Sequence, residues 1–409
     1  MSIRRVEVTP AGPACPRTPT GLVLTGGGAR AAYQVGVLSA IMELLDPDWH
    51  SRFQNPFDII CGTSAGAINA AALACRADRP HLGVRRVRRL WSSLSTDMIY
   101  RADAPGLIRT GVRWLGLLSL GWMYSGLTRK RPQSLLDNSP LQALLGRVLD
   151  FGNLQSNLER GSLSALAITA SGYTSGEHLT FYQAHRPIEP WHRYLRLAIP
   201  TDIGIDHLMA SSAIPFVFPA RRVDVHGKGE WCGDGSMRQL APISPAIHLG
   251  AHRVLVVGTG FRDETHPENR EDTPPYPSLA QVGGHALSSI FLDGLSADVE
   301  RLERINQLME HAVPDGQDGT MRRIRVLSIT PSRSLDLLAL EHLDDMPAQA
   351  RALFRVLGVS SDPGRPGGGA LMSYLLFESS YTKRLIELGY ADTMQRNREV
   401  IAFFEEAQA

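Results

Sequence analysis

Short apolar runs alternate with stretches of helical spacing along the first part of the chain, and this pattern sets the element order. Leu22–Thr25 predicts a strand. The next apolar positions, Val37, Leu38, Ile41, Met42 and Leu45, fall at helical intervals and predict a helix over about Ala29–Leu45. Asp46-Pro47 stops it. Phe57–Cys61 predicts a second strand and the Ala-rich stretch Ser64–Cys75 a second helix. Leu163–Tyr173 and His178–Gln183 predict two strands joined by a turn at Thr174-Ser175-Gly176-Glu177. Leu208–Ile214 reads as a short helix ended by Pro215. Arg253–Gly258 is an almost unbroken apolar run, as expected of a strand covered on both faces. Strands alternating with helices up to residue 260 predict an α/β layer fold with a largely parallel sheet.

Beyond that point the pattern changes. Phe261–Tyr276 is Pro-rich and acidic and reads as a loop. Helical spacing then dominates over His285–His311, Leu335–Leu357 and Ala370–Gly389, with one strand at Ile324–Thr330 and a Gly- and Pro-rich breaker at Ser361–Gly369. The expected organisation is one α/β domain over residues 20–260, followed by a mostly helical extension over 261–409 packed on it.

Two glycine-rich turns carry the candidate chemistry. Phe57–Cys61 runs into Gly62-Thr63-Ser64-Ala65-Gly66 and then directly into a helix. This Gly-x-Ser-x-Gly arrangement is that of a nucleophile elbow, where a tight strand-to-helix turn holds a serine hydroxyl out of the backbone. Side chains at Gly62 and Gly66 would collide with the adjoining strand and helix. The other turn, Gly26-Gly27-Gly28-Ala29-Arg30, bares backbone N–H groups at a helix start, where negative charge is stabilised. Gly26, Gly28 and Ala31 also fit a dinucleotide fingerprint. That fingerprint needs an acidic residue ending the next strand, whereas Asp46 and Asp48 end a helix and the next strand ends in the serine elbow.

A serine nucleophile needs a base. Asp234, in the glycine-flanked turn Cys232-Gly233-Asp234-Gly235-Ser236, is the foremost candidate. His226, His248 and His252 lie nearby in sequence and leave a Ser–Asp–His triad open on chain order. Arg30 either offsets charge near the site or braces the loop.

Gly26-Gly27-Gly28-Ala29-Arg30, Gly62-Thr63-Ser64-Ala65-Gly66 and Asp234-Gly235, in this order, resemble the patatin-like phospholipases. Phe57-Asp58-Ile59-Ile60 and Ala210-Ser211-Ser212-Ala213-Ile214-Pro215 resemble further segments of that family. The resemblance covers residues 20–260, and Leu371–Asp392 resembles an extension of bacterial members. Two small residues depart from the family pattern: Ala31 stands where glycine is usual and Ser236 where glycine or alanine is usual. The resemblance implies a three-layer α/β/α fold around a largely parallel sheet and lipid acyl hydrolysis with no metal or cofactor. It implies Ser64 as nucleophile, Asp234 as base in a Ser–Asp dyad, and an oxyanion hole at Gly26, Gly27, Gly28 and Arg30. An esterase with a Ser–Asp–His triad and a non-catalytic lipid-binding protein of the same fold are the alternatives.

Composition fits a chain with a full core: 43% apolar and 20% charged over 409 residues. The net charge of +1 gives no overall attraction to nucleic acid, and no nucleic-acid-binding motif is present. Cys15, Cys61, Cys75 and Cys232 are scattered without metal-ligand spacing and read as free thiols in a reducing compartment. The N-terminal twenty residues have no signal-peptide core, and no stretch reaches the roughly 18 uncharged apolar residues of a membrane span; Trp114–Thr128, an uncharged run of 15 residues, is too short and holds three glycines. A cytoplasmic protein is expected. Between Arg76 and Arg131, twelve basic residues face three acidic ones. They bracket Leu107–Met123, where Ile108, Val112, Leu115, Leu118 and Trp122 share one helical face and Trp114 adds a second indole. Basic clusters around an apolar stretch suit a cap over Arg85–Arg131 that touches anionic lipid.

Overall fold

The computed structural model describes residues 18–50, 53–101, 134–261, 276–291, 293–311, 322–360 and 368–405. Its frame is a ten-stranded sheet. In chain order the strands are β1 (Thr20–Leu24), β2 (Ile59–Thr63), β3 (Ala165–Gly172), β4 (His178–Ala184), β5 (His192–Arg193), β6 (Arg196–Pro200), β7 (Arg221–Val225), β8 (Lys228–Asp234), β9 (Arg253–Val257) and β10 (Arg325–Ile329). The spatial order β10-β9-β1-β2-β3-β4-β6-β5 has β8 paired to both β3 and β7. The five strands from β10 to β3 run parallel. The expected pair of strands around Thr174–Glu177 is antiparallel β3–β4, with Ile168 opposite Phe181.

Alternation along the parallel strands explains the layers. In β1 and β9, Leu22, Leu24, Leu255 and Val257 enter one apolar cluster, while Val23, Val254 and Val256 enter another on the opposite face. A strand whose successive side chains are all buried reads as an unbroken apolar run because both faces are covered.

Helix α1 (Ala32–Leu45) follows a short 3₁₀ turn at Gly28–Ala31, and α2 (Ala65–Ala74) and α3 (Pro80–Trp91) follow β2. Every α1 residue from Ala32 to Met42 is buried. The cause is the helix Ser379–Gln395, which crosses it closely. A Cβ on Gly36 would overlap the Ile386 carbonyl, one on Gly389 would overlap the Tyr33 carbonyl, and the Tyr33 hydroxyl donates to Asp392 at 2.9 Å.

Two helical expectations change. The stretch Leu335–Leu357 is two helices, Leu335–Glu341 and Ala348–Val356, separated by a 3₁₀ turn at Leu343–Asp345 and by Pro347, which stands at the N-cap of the second because proline is disfavoured in a helix interior. The stretch Ala370–Gly389 is likewise split, into Gly369–Leu375 and Ser379–Gln395, while the expected helix over His285–His311 is helical on both sides of residue 292, over Leu279–Phe291 and Asp293–His311. The predicted strand at Ile324–Thr330 is present as β10, and it extends the main sheet by pairing with β9 in register, Leu327 opposite Leu255. Most of the Pro-rich stretch Phe261–Tyr276 lies outside the described residues.

Candidate active site

Ser64 sits between β2 and α2 with φ 54° and ψ −129°, a backbone conformation that a residue with a side chain adopts only under constraint. The constraint is close packing. A Cβ on Gly62 would come within 2.6 Å of the Ala67 Cα, and one on Gly66 would overlap the Leu24 carbonyl. The Ser64 N–H donates to the Ser211 hydroxyl at 2.8 Å, which fixes the turn from the outside.

Asp234 arrives at the same place from 170 residues further along the chain. It ends β8, opposite Ala170 of β3, while Thr63, beside Ser64, pairs with Thr169 of that strand. The Ser64 hydroxyl donates to Asp234 Oδ2 at 2.5 Å, and Oδ1 accepts the Ser236 N–H at 2.9 Å. Asp234 has no solvent exposure, and this burial raises its pKa to about 6, against the opposing pull of the hydrogen bonds from Ser64 and Ser236. A carboxyl group tuned in this direction is a stronger proton acceptor than an exposed aspartate, and it is still mostly ionised at neutral pH. Among the described residues no histidine bonds either Ser64 or Asp234. His248 stacks on Trp191 with ring centroids 4.7 Å apart, His226 lies outside the site in the turn between β7 and β8, and the His252 N–H donates to Pro19.

The glycine loop faces this pair. Gly27 and Gly28 have φ of 155° and 55°. Only glycine fits at 28, where a Cβ would run into the Tyr374 carbonyl. Thr259 Oγ1 donates to the Gly26 carbonyl at 2.6 Å and holds the loop open. The N–H groups of Gly26, Gly27 and Gly28 have no acceptor among the described residues. Gly28 and Ser64 together line an apolar cavity whose other walls include Leu94, Leu144, Phe218 and Phe377. Backbone donors beside a nucleophile in an apolar recess have the geometry for holding developing negative charge.

The Arg30 side chain, expected in the oxyanion hole from the sequence, is bound elsewhere than at Ser64 and Asp234. It is buried, its Nε donates to the Ser373 hydroxyl at 2.8 Å, its guanidinium pairs with Asp336, and it lies 3.9 Å over the Tyr374 ring. It braces the loop against the C-terminal segment, the second of the two roles its position in sequence allowed. The stretch 107–123 and most of the Arg85–Arg131 region lie outside the described residues. Of that region, α3 is described: Arg85, Arg86, Arg88 and Arg89 are exposed, while Leu90 and Trp91 line the cavity. Cys61, Cys75 and Cys232 are buried and unpaired. No group of three metal-ligating side chains and no helix long and apolar enough to cross a membrane occurs among the described residues.

Ser211, Thr259, Asp336, Ser373 and Tyr374 were not singled out for a role from the sequence. The last three lie more than 300 residues from the glycine loop, and no local pattern marks them.

The family profile described as patatin-like phospholipase matches residues 22–247. That is more than half of the chain, and it contains both turns and Asp234. The protein belongs to the patatin-like phospholipase family, and membership supports a lipid acyl hydrolase acting on lipid substrates. No curated protein sequence matches the chain. Among solved structures, human GIVD cytosolic phospholipase A2 is similar, with 11% identity, a TM-score of 0.46, and coverage of 96% of this chain and 63% of that one. VipD from Legionella pneumophila gives 13%, 0.35, 94% and 68%, and the type III effector protein ExoU gives 15%, 0.31, 93% and 54%. The chain thus spans less than two thirds of the length of the human enzyme and of ExoU.

Proposed function

We propose that the protein is a serine hydrolase that cleaves carboxylic ester bonds of phospholipids or related lipids through a Ser64–Asp234 dyad. The observation that carries the reading is the direct hydrogen bond from Ser64, which sits on a strained elbow and lines an apolar cavity, to the fully buried Asp234 carboxylate. Ser64 Oγ attacks the ester carbonyl carbon while Asp234 takes its proton. The carbonyl oxygen becomes an oxyanion held by the N–H groups of Gly27 and Gly28. Collapse breaks the ester C–O bond, and the alcohol leaves with the proton from Asp234. Water, deprotonated by Asp234, then releases the fatty acid from Ser64.

The enzyme meets its substrate at a membrane surface in this reading. The exposed arginines of α3 lie on the same helix as the cavity residues Leu90 and Trp91, so headgroup contact and acyl entry adjoin. Each basic residue near an anionic surface contributes about 1 kcal/mol. Arg86→Ala combined with Arg89→Ala is therefore expected to weaken partitioning onto anionic phospholipid vesicles by roughly 30-fold. Fatty-acid release from those vesicles should also fall as salt rises from 0.1 to 1 M, because the Debye length shrinks from about 10 to about 3 Å. Hydrolysis of a short soluble ester should change little. No fatty acid from any phospholipid vesicle would count against lipid hydrolysis, and equal responses of vesicle and soluble activities would count against the membrane contact.

A further inference from the structure

The tripeptide Ser211-Ser212-Ala213, at the end of the helix Ile205–Ser211, touches both members of the dyad. The Ser211 hydroxyl accepts the Ser64 N–H at 2.8 Å, and the Ala213 carbonyl accepts the Asp234 N–H at 2.9 Å. The residue between them has a different environment. Ser212 is buried to 6% exposure and lines the cavity together with Ser64 and Gly28, yet its hydroxyl has no hydrogen-bond partner among the described residues. Its backbone is fully engaged: the N–H donates to Leu208 and the carbonyl accepts from Ile214, both at 3.0 Å. Only the side-chain donor is unused.

A buried hydroxyl without a partner is destabilising, and alanine would serve better if packing were the whole role of the position. Such a group is explained when its partner is a bound molecule. We infer that the Ser212 hydroxyl donates a hydrogen bond to the carbonyl oxygen of the bound ester as that oxygen becomes negative, beside the N–H of Gly28. Ser212 is thereby a third donor at the oxyanion site and a catalytic residue that exchanges no proton of its own. The inference rests on the dyad reading of Ser64 and Asp234. It goes beyond that reading in giving a side chain, rather than the glycine backbone alone, a share in charge stabilisation.

The test is the kinetics of Ser212→Ala and Ser212→Thr on a soluble ester, with thermal unfolding of each. Ser212→Ala is expected to lower kcat by roughly 10²-fold with KM within about twofold, the size of losing one oxyanion donor. Its Tm should be unchanged or higher. Phosphonylation of Ser64 by an alkyl fluorophosphonate, which also builds charge on an oxygen at this position, should slow in parallel. Ser212→Thr keeps the hydroxyl and should recover most of the lost rate. A Ser212→Ala variant with wild-type kcat overturns the inference, as does one whose lost activity is matched by a lower Tm and is not restored by threonine. Ser64→Ala separates the two levels: if it retains activity, the dyad reading fails; if it is inactive while Ser212→Ala is fully active, only the role of Ser212 fails.

Discussion

Asp234→Asn is expected to give a folded protein that is more stable at neutral pH than the wild type and hydrolyses esters about 10⁴-fold more slowly. Both effects come from burial of one carboxyl group with no solvent exposure. Asparagine keeps its shape and can still bond Ser64 and the Ser236 N–H, but it cannot take the Ser64 proton. The stability change follows from the direction of the pKa shift. The folded value of about 6 lies above that of an ordinary aspartate, so folding favours the protonated form. That preference is fully present below about pH 4 and is lost as pH rises through 6, after which the ionised group costs roughly 3 kcal/mol relative to an exposed carboxylate. The variant should therefore match the wild type near pH 4 and exceed it above pH 6, by an amount set by that cost less any hydrogen-bond strength lost. The same group governs rate. Wild-type kcat/KM is expected to fall tenfold per pH unit below about 6, two units higher than an unperturbed aspartate would allow. A variant less stable than wild type at pH 7, or wild-type activity flat down to pH 4, contradicts this role for Asp234.

Gly28→Ala is expected to lower kcat by 10²–10³-fold and to destabilise the protein by more than about 2 kcal/mol. Gly28 has φ of 55°, which alone costs a side-chain-bearing residue about 1–2 kcal/mol. The new methyl group would also meet the Tyr374 carbonyl, at the end of the helix Gly369–Leu375. That helix cannot retreat freely, since Arg30 ties the loop to Ser373 and Asp336 from the other side. The loop must shift instead, carrying its N–H groups off the oxyanion position. Soluble-ester kinetics and urea unfolding measure the two effects, and a Gly28→Ala enzyme with wild-type kcat would remove the glycine loop from the mechanism.

This arrangement also shows where sequence reasoning reached and where it stopped. The elbow was legible because all its determinants are local: a strand, two glycines forced by close backbone approach, and an Ala-rich helix. Asp234 was reachable as a candidate base because it lies in its own glycine-flanked turn. The double burial of α1 was not legible, since it is imposed by a helix more than 300 residues away through Gly36 and Gly389. Nor was the boundary near residue 260 visible as one that sheet hydrogen bonds cross, because the β9–β10 pairing is non-local. Arg30 shows the same limit in one residue: its position in the loop left two roles open, and Asp336, Ser373 and Tyr374 decide between them. Pro347 is different in kind. Its signal was local, and helical spacing on both sides masked it.

The most direct test of the account is peptide mass spectrometry of the wild-type protein after reaction with an alkyl fluorophosphonate, run beside Ser64→Ala and Asp234→Asn. Displacement of fluoride by the nucleophile leaves a stable phosphonate ester on whichever residue performs ester hydrolysis. The expected result is one adduct per chain on Ser64, none on Ser64→Ala, and slow labelling of Asp234→Asn at the same position. An adduct at another residue, or a wild-type protein that hydrolyses lipid esters while Ser64 stays unmodified, would contradict it.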